Sequence, residues 1–86
     1  MHYNGKNYRC LSTFVKAKKK EWFKDGKERG HTKAYDKEYW ESEGIVWAVQ
    51  EYYGSMGEFT EKDIEFIKQE FGQWAGVLID DCEQTD

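Results

Sequence analysis

The sequence predicts a mainly α fold, a compact three-helix domain over residues 1–86 that admits a short N-terminal β-hairpin; a small α+β domain is the alternative. Three observations carry the prediction. Apolar residues recur at steps of three and four in three separate stretches. Glycine-bearing spans at 26–31 and 54–57 divide those stretches. The chain has no proline, no repeat and no linker tract, so one domain is expected. At 86 residues, folding buries about 60–65% of the unfolded surface, enough for a small core and not for a deep cavity.

In chain order, Asn4-Gly5 comes first. Both residues tolerate positive φ, which a type I′ turn demands, so residues 1–3 and 6–10 pair as a hairpin or form an irregular arm. Ser12 or Thr13 then caps a first helix over Phe14 to about Asp25, with Leu11, Phe14, Val15, Trp22 and Phe23 on its apolar side. Gly26 suits the C′ position that closes it. Thr32 opens a second helix, whose stripe is Tyr35, Tyr39, Val46, Val49 and Tyr53, widened by Ile45 and Tyr52. Gly44 inside that pattern either permits a close crossing or splits the helix, and Gly54-Ser55-Met56-Gly57 reads as a turn.

The third helix, 61 to about 80, is the best punctuated. Thr60 caps it, Asp63 reaches back, and Phe59 and Ile64 sit at the two positions of a hydrophobic staple. Ile64, Ile67, Phe71, Trp74, Leu78 and Cys82 form its stripe. After Gly76, Val77-Leu78-Ile79 also reads as a short strand, the cue for the α+β alternative. Asp80, Asp81, Glu83 and Asp86 oppose a helix C-terminal dipole by about 0.3–1 kcal/mol each, so the helix is expected to end by about Ile79. Alternatively the acidic tail answers a basic partner or the Lys16–Lys24 segment.

Composition excludes several function classes. No apolar run nears the roughly 20 residues that span a membrane, and the N-terminus has no secretory h-region. Cys10 and Cys82 suggest no disulfide framework, which fits a reduced, cytoplasmic protein. His2, His31, Cys10 and Cys82 lack metal-ligand spacing, and no glycine-rich phosphate loop follows a strand, so no metal or cofactor is expected. No nucleophile–base pattern stands out, so the reading is non-enzymatic; Cys10 reads as a half-buried hydrophobe.

The net charge of −4 hides a polar layout. Residues 1–33 hold ten Lys and Arg against three Asp and Glu, whereas residues 34–86 hold three against fourteen. Such asymmetry hints at a charged partner, unless the halves neutralise each other. Two surfaces follow. Glu38, Glu41, Glu43, Glu61 and Glu65, with Trp40 and Trp47 off the stripe, suit a larger protein partner with a basic surface. A small intracellular binding protein is therefore the first reading. In its sharpest form it is a stoichiometric inhibitor, of phage or mobile-element type, that occludes a nucleic-acid-handling protein. The alternative is a nucleic-acid-binding module that uses Lys16, Lys18, Lys19, Lys20, Lys24, Lys27 and Arg29, with Trp22 or Phe23 stacking a base. Gly72-x-x-x-Gly76 adds a smooth patch able to seat a second helix, within the chain or across a homodimer.

Overall fold

A computed structural model describes residues 1–84. Two short strands, β1 (His2–Tyr3) and β2 (Lys6–Asn7), precede α1 (Leu11–Glu28). Next come α2 (Lys33–Tyr39), a π-turn (Trp40–Gly44) and α3 (Ile45–Met56), which run on as one helical arm. The last arm is α4 (Glu61–Phe71), a 3₁₀ turn (Gly72–Trp74) and α5 (Ala75–Gln84). The fold is thus three helical arms with a two-stranded antiparallel hairpin at the N-terminus, as the sequence predicts.

Asn4 and Gly5 both take positive φ, so the hairpin closes with His2 opposite Asn7 and Tyr3 opposite Lys6. The hairpin then packs on α1, where Tyr3 and Tyr8 meet Phe14 edge-on at 5.5 and 5.9 Å between centroids.

The first helix is longer than predicted at both ends. Its C-terminus is set by Gly30 (φ 80°) and not by Gly26. There Gly30 N–H donates to the Lys27 carbonyl and His31 N–H to the Gly26 carbonyl, the paired bonds of a Schellman cap. At the other end neither Ser12 nor Thr13 caps. Cys10 is the N-cap residue, and the Leu11 N–H donates to Asp63 from α4 at 3.0 Å.

Gly44 does not split the second arm. Ile45 N–H reaches the Trp40 carbonyl five residues back, a π bond that admits one extra residue to the turn. The arm also continues through Gly54 and stops at Gly57, which has φ 78°. The third arm, by contrast, is broken where one helix was expected. Gly72, at φ 57° and ψ −123°, leaves helical geometry. Trp74 is consequently 63% exposed, and the core instead takes Ile67, Ala75, Leu78 and Cys82. The break also divides the Gly72-x-x-x-Gly76 patch, and Val77-Leu78-Ile79 is helical. α5 runs on past Ile79 through Asp80, Asp81 and Glu83, whereas Asp86 lies outside the described residues.

The core joins Leu11, Phe14 and Val15 of α1 to Trp40, Ile45, Ala48, Val49 and Tyr52 of the second arm and to that third-arm set. No helix among the described residues is long and apolar enough to cross a membrane.

Candidate functional site

The second arm carries its chemistry in two parallel rows of four-residue period. Asp36, Trp40, Gly44, Ala48 and Tyr52 face inward and are buried. Tyr35, Tyr39, Glu43 and Trp47 form the adjoining outer row and are exposed. In an ordinary α-helix, steps of four drift by about 40° each, and both rows would wind away from their targets. The π-turn at Trp40–Gly44 takes up that drift. It also explains the main misreading of the sequence. A plain helical period puts Tyr35 and Tyr39 in the core stripe and Trp40 on the flank; the structure buries Trp40 to 3% exposure and turns both tyrosines outward.

Gly44 lets this happen. A Cβ there would stand 2.6 Å from a Trp40 ring carbon and 3.4 Å from the Trp22 ring. With only hydrogen at that position, Trp22 and Trp40 meet at 5.7 Å. Trp22 also touches Tyr39 and Trp47, at 5.9 and 6.2 Å, and its indole N–H donates to the Asp36 carbonyl. The ring contacts continue through Tyr39–Trp47, Tyr35–Tyr39 and His31–Tyr35. An aromatic ridge thus stands on the surface, with Trp47 51% and Tyr35 52% exposed over a half-buried Trp22 base. Glu43 sits four residues from both Tyr39 and Trp47. Its carboxylate, by hydrogen bond and then by charge, raises the Tyr39 phenol above its ordinary value.

Beside the ridge, between α1 and α2, opens a cleft of about 330 Å³. Trp22, Tyr35, Tyr39 and His31 wall it, Gly26 and Asp36 form its floor, and Asp25 with Arg29 stands at the rim. Gly26 is buried because the Asp36 carboxylate lies directly over it, where a Cβ would overlap all three carboxylate atoms. Asp36 Oδ1 lies 3.0 Å from His31 Nδ1.

The acidic residues do not make one face. Glu38, Glu41 and Glu43 belong to the α2 side, Glu61 and Glu65 to α4, and all are exposed. α2 and α4 share no packing contact, since each rests on α1. Of the predicted protein-binding set, Trp47 and Glu43 fall within the ridge, Trp40 falls beneath it, and Glu61 and Glu65 are remote.

The basic segment is also sorted by the fold. Lys18 is committed inward: it pairs with Glu51 at 3.1 Å and its ammonium lies 4.9 Å from the Tyr3 ring centroid. Arg29 pairs with Asp25 at 3.0 Å, and Trp22 is held by its ring contacts and indole bond. Lys16, Lys20, Lys24 and Lys27 are exposed on the opposite side of α1, and Lys19 is exposed on its flank. Among the described residues none of these five meets a carboxylate at ion-pair distance. Lys18–Glu51 is therefore the one lysine–carboxylate pair that joins the two halves among the described residues.

Tyr35 and Tyr39 were missed as site residues, and Asp36, which the helical count places on an outer acidic face, is buried at 4% exposure. The legible signal was the four-residue repeat of a small or large inward residue (Trp40, Gly44, Ala48, Tyr52) beside a second repeat one position earlier. Cys10 and Cys82 form no disulfide. Among the described residues no three His, Cys, Asp or Glu side chains converge to hold a metal ion. No family model, curated protein or solved structure matches the chain.

Proposed function

We infer that the protein is a non-catalytic binding domain that docks on a larger protein through the Tyr35–Tyr39–Trp47 ridge. The observation that carries this reading is the exposure of three contiguous aromatic side chains on a helical arm. Aromatic anchors dominate binding energy, because each removes a large, rigid surface from water at little entropic cost. Holding a row of such groups outward by a π-turn is a local departure from regular helix of the kind found at functional sites. The carboxylates of Glu38, Glu41 and Glu43 lie on the same arm and favour a partner with basic residues around the contact. A nucleic-acid-handling protein has such a surface, and stoichiometric occlusion is the action a domain of this size would exert on it.

The test compares wild type with Trp47→Ala and Tyr39→Ala as immobilised bait, after nuclease treatment of the lysate. A stoichiometric partner should be held by wild type and lost by both variants, because an anchor residue contributes about 2 kcal/mol or more, roughly 30-fold in affinity. Trp74→Ala, on the far arm, should leave capture intact. Capture by Trp47→Ala and Tyr39→Ala undiminished from wild type would refute the ridge.

A second reading is favoured by one observation, the unpaired row of Lys16, Lys20, Lys24 and Lys27 on the outer side of α1. Those ammonium groups have no carboxylate partner among the described residues, whereas Lys18 and Arg29 each share a surface ion pair and Trp22 is half-buried in its ring contacts. Nucleic-acid binding through the row would weaken steeply with salt and with Lys20→Gln and Lys24→Gln on any sequence. Salt-independent retention would dismiss it.

A further inference from the structure

We propose that the cleft between α1 and α2 receives the guanidinium of an arginine side chain from the partner, with Asp36 as counter-charge and Tyr35 and Tyr39 as walls. The proposal rests on the docking reading above and names what enters the site beside the ridge.

The charge balance of the cleft is the first argument. Asp36 is 4% exposed, so its carboxylate has lost nearly all of its water. A carboxylate so placed needs a compensating partner. His31 meets only Oδ1. Oδ2 receives no hydrogen bond from the described residues; it lies against Gly26 at the floor of the cleft and is not fully shut off from solvent. Arg29 stands at the rim but is already balanced by Asp25 at 3.0 Å. An incoming cation would meet an acceptor that is desolvated, fixed by its neighbours and half used.

Shape and wall chemistry make the second argument. Tyr35, Tyr39, Trp22 and His31 line about 330 Å³, enough for one side-chain head and its stem. Ring faces attract cations, and a planar, weakly hydrated guanidinium stacks on them better than a compact ammonium. An anion finds no unpaired cation here, since Arg29 and His31 each already face a carboxylate. Glu43 in the adjacent row adds to the field that draws a cation to this side.

The experiment is an NMR titration of the full chain with N-acetyl-arginine amide and with N-acetyl-citrulline amide, which keeps the planar head and removes its charge. The Trp22 indole and His31 ring resonances should shift saturably with the arginine probe and bind citrulline about tenfold more weakly. Asp36→Asn should bring arginine down to the citrulline level. Tyr35→Ala, at an exposed position, should weaken arginine binding with thermal unfolding unchanged. Equal binding of the two probes, no saturable shift with either, or full arginine binding by Asp36→Asn would overturn the proposal. The titration contains no partner, so it can succeed where partner capture fails, and can fail where the ridge still captures.

Discussion

Replacing Gly26 with alanine sets two effects of known size against each other. Within a helix the change ordinarily stabilises by about 1 kcal/mol, because alanine loses less backbone freedom. Here the added Cβ would overlap the Asp36 carboxylate. Displacing a short, buried side chain costs about 1–3 kcal/mol in overpacking. The shift also weakens the 3.0 Å contact with His31, a charge-assisted bond of the class that contributes about 1.5–3 kcal/mol. His31 is partly exposed, so the lower end applies. The net expectation for Gly26→Ala is a loss of about 2 kcal/mol, or roughly 8–16 °C in Tm for a domain of this size. In an Asp36→Ala background the obstruction is gone and the Trp22 bond to the residue 36 carbonyl survives. The same substitution should then stabilise, by about 0.5–1 kcal/mol. Thermal and urea unfolding of the four proteins, followed by circular dichroism, reads the sign directly. If Gly26→Ala is neutral or stabilising in the wild-type background, or equally harmful in both, the carboxylate does not occupy the space above α1.

Three further outcomes are expected. Asp63→Ala should cost about 2–4 kcal/mol, because Oδ1 accepts from Leu11 of α1 and Oδ2 from Thr60, and both N–H groups would be orphaned; Thr60→Ala should cost only about 1 kcal/mol, and equal losses in urea melts would mean that Asp63 does not hold α1. Burial, then the nearby Asp63 and Cys10 charges, raise the Tyr52 phenol above 10.0. The stability that this provides is complete below about pH 10 and is lost as pH climbs through the raised folded value, so Tyr52→Phe should flatten the alkaline fall in urea midpoint; an unchanged slope counts against it. Burial, then Asp81 and Glu83, likewise raise the Cys82 thiol, which is 3% exposed, so a disulfide reagent at pH 8 should give one fast and one slow phase, with Cys10→Ser removing the fast one. Loss of the slow phase instead would reverse the assignment.

The sequence disclosed the parts of this fold whose signals are local. Asn4-Gly5 closes the hairpin, Thr32 accepts from Tyr35 N–H, and Thr60 with Asp63 forms a reciprocal capping box. Each depends on residues within a few positions of one another. What escaped depends on contacts far along the chain. Gly26 looked like a helix end because the residue that makes glycine necessary there, Asp36, arrives from another helix. The sequence points to Ser12 or Thr13 at the N-terminus of α1 because the actual acceptor, Asp63, lies 52 residues from Leu11. The ridge was masked by the π-turn, since a period of 3.6 residues assigns Tyr39 inward and Trp40 outward on any count that assumes regular helix. Trp47, whose exposure was foreseen, lies beyond the turn, where the regular count holds again.

The π-turn carries a consequence for how this surface can change over time. Its extra residue is a held insertion, and the step that undoes it is the loss of one codon. Removing one residue within Trp40–Gly44, such as the exposed Ser42, would let the turn close into ordinary helix. Everything before it would then rotate by about 100° against everything after it. Trp40 would swing off Gly44, and Tyr35 and Tyr39 would part from Trp47, while the arm itself stayed helical from end to end. A single in-frame deletion would thus exchange one molecular face for another without interrupting the helix that bears it, so descendants that differ by this one residue would share an architecture and present different surfaces.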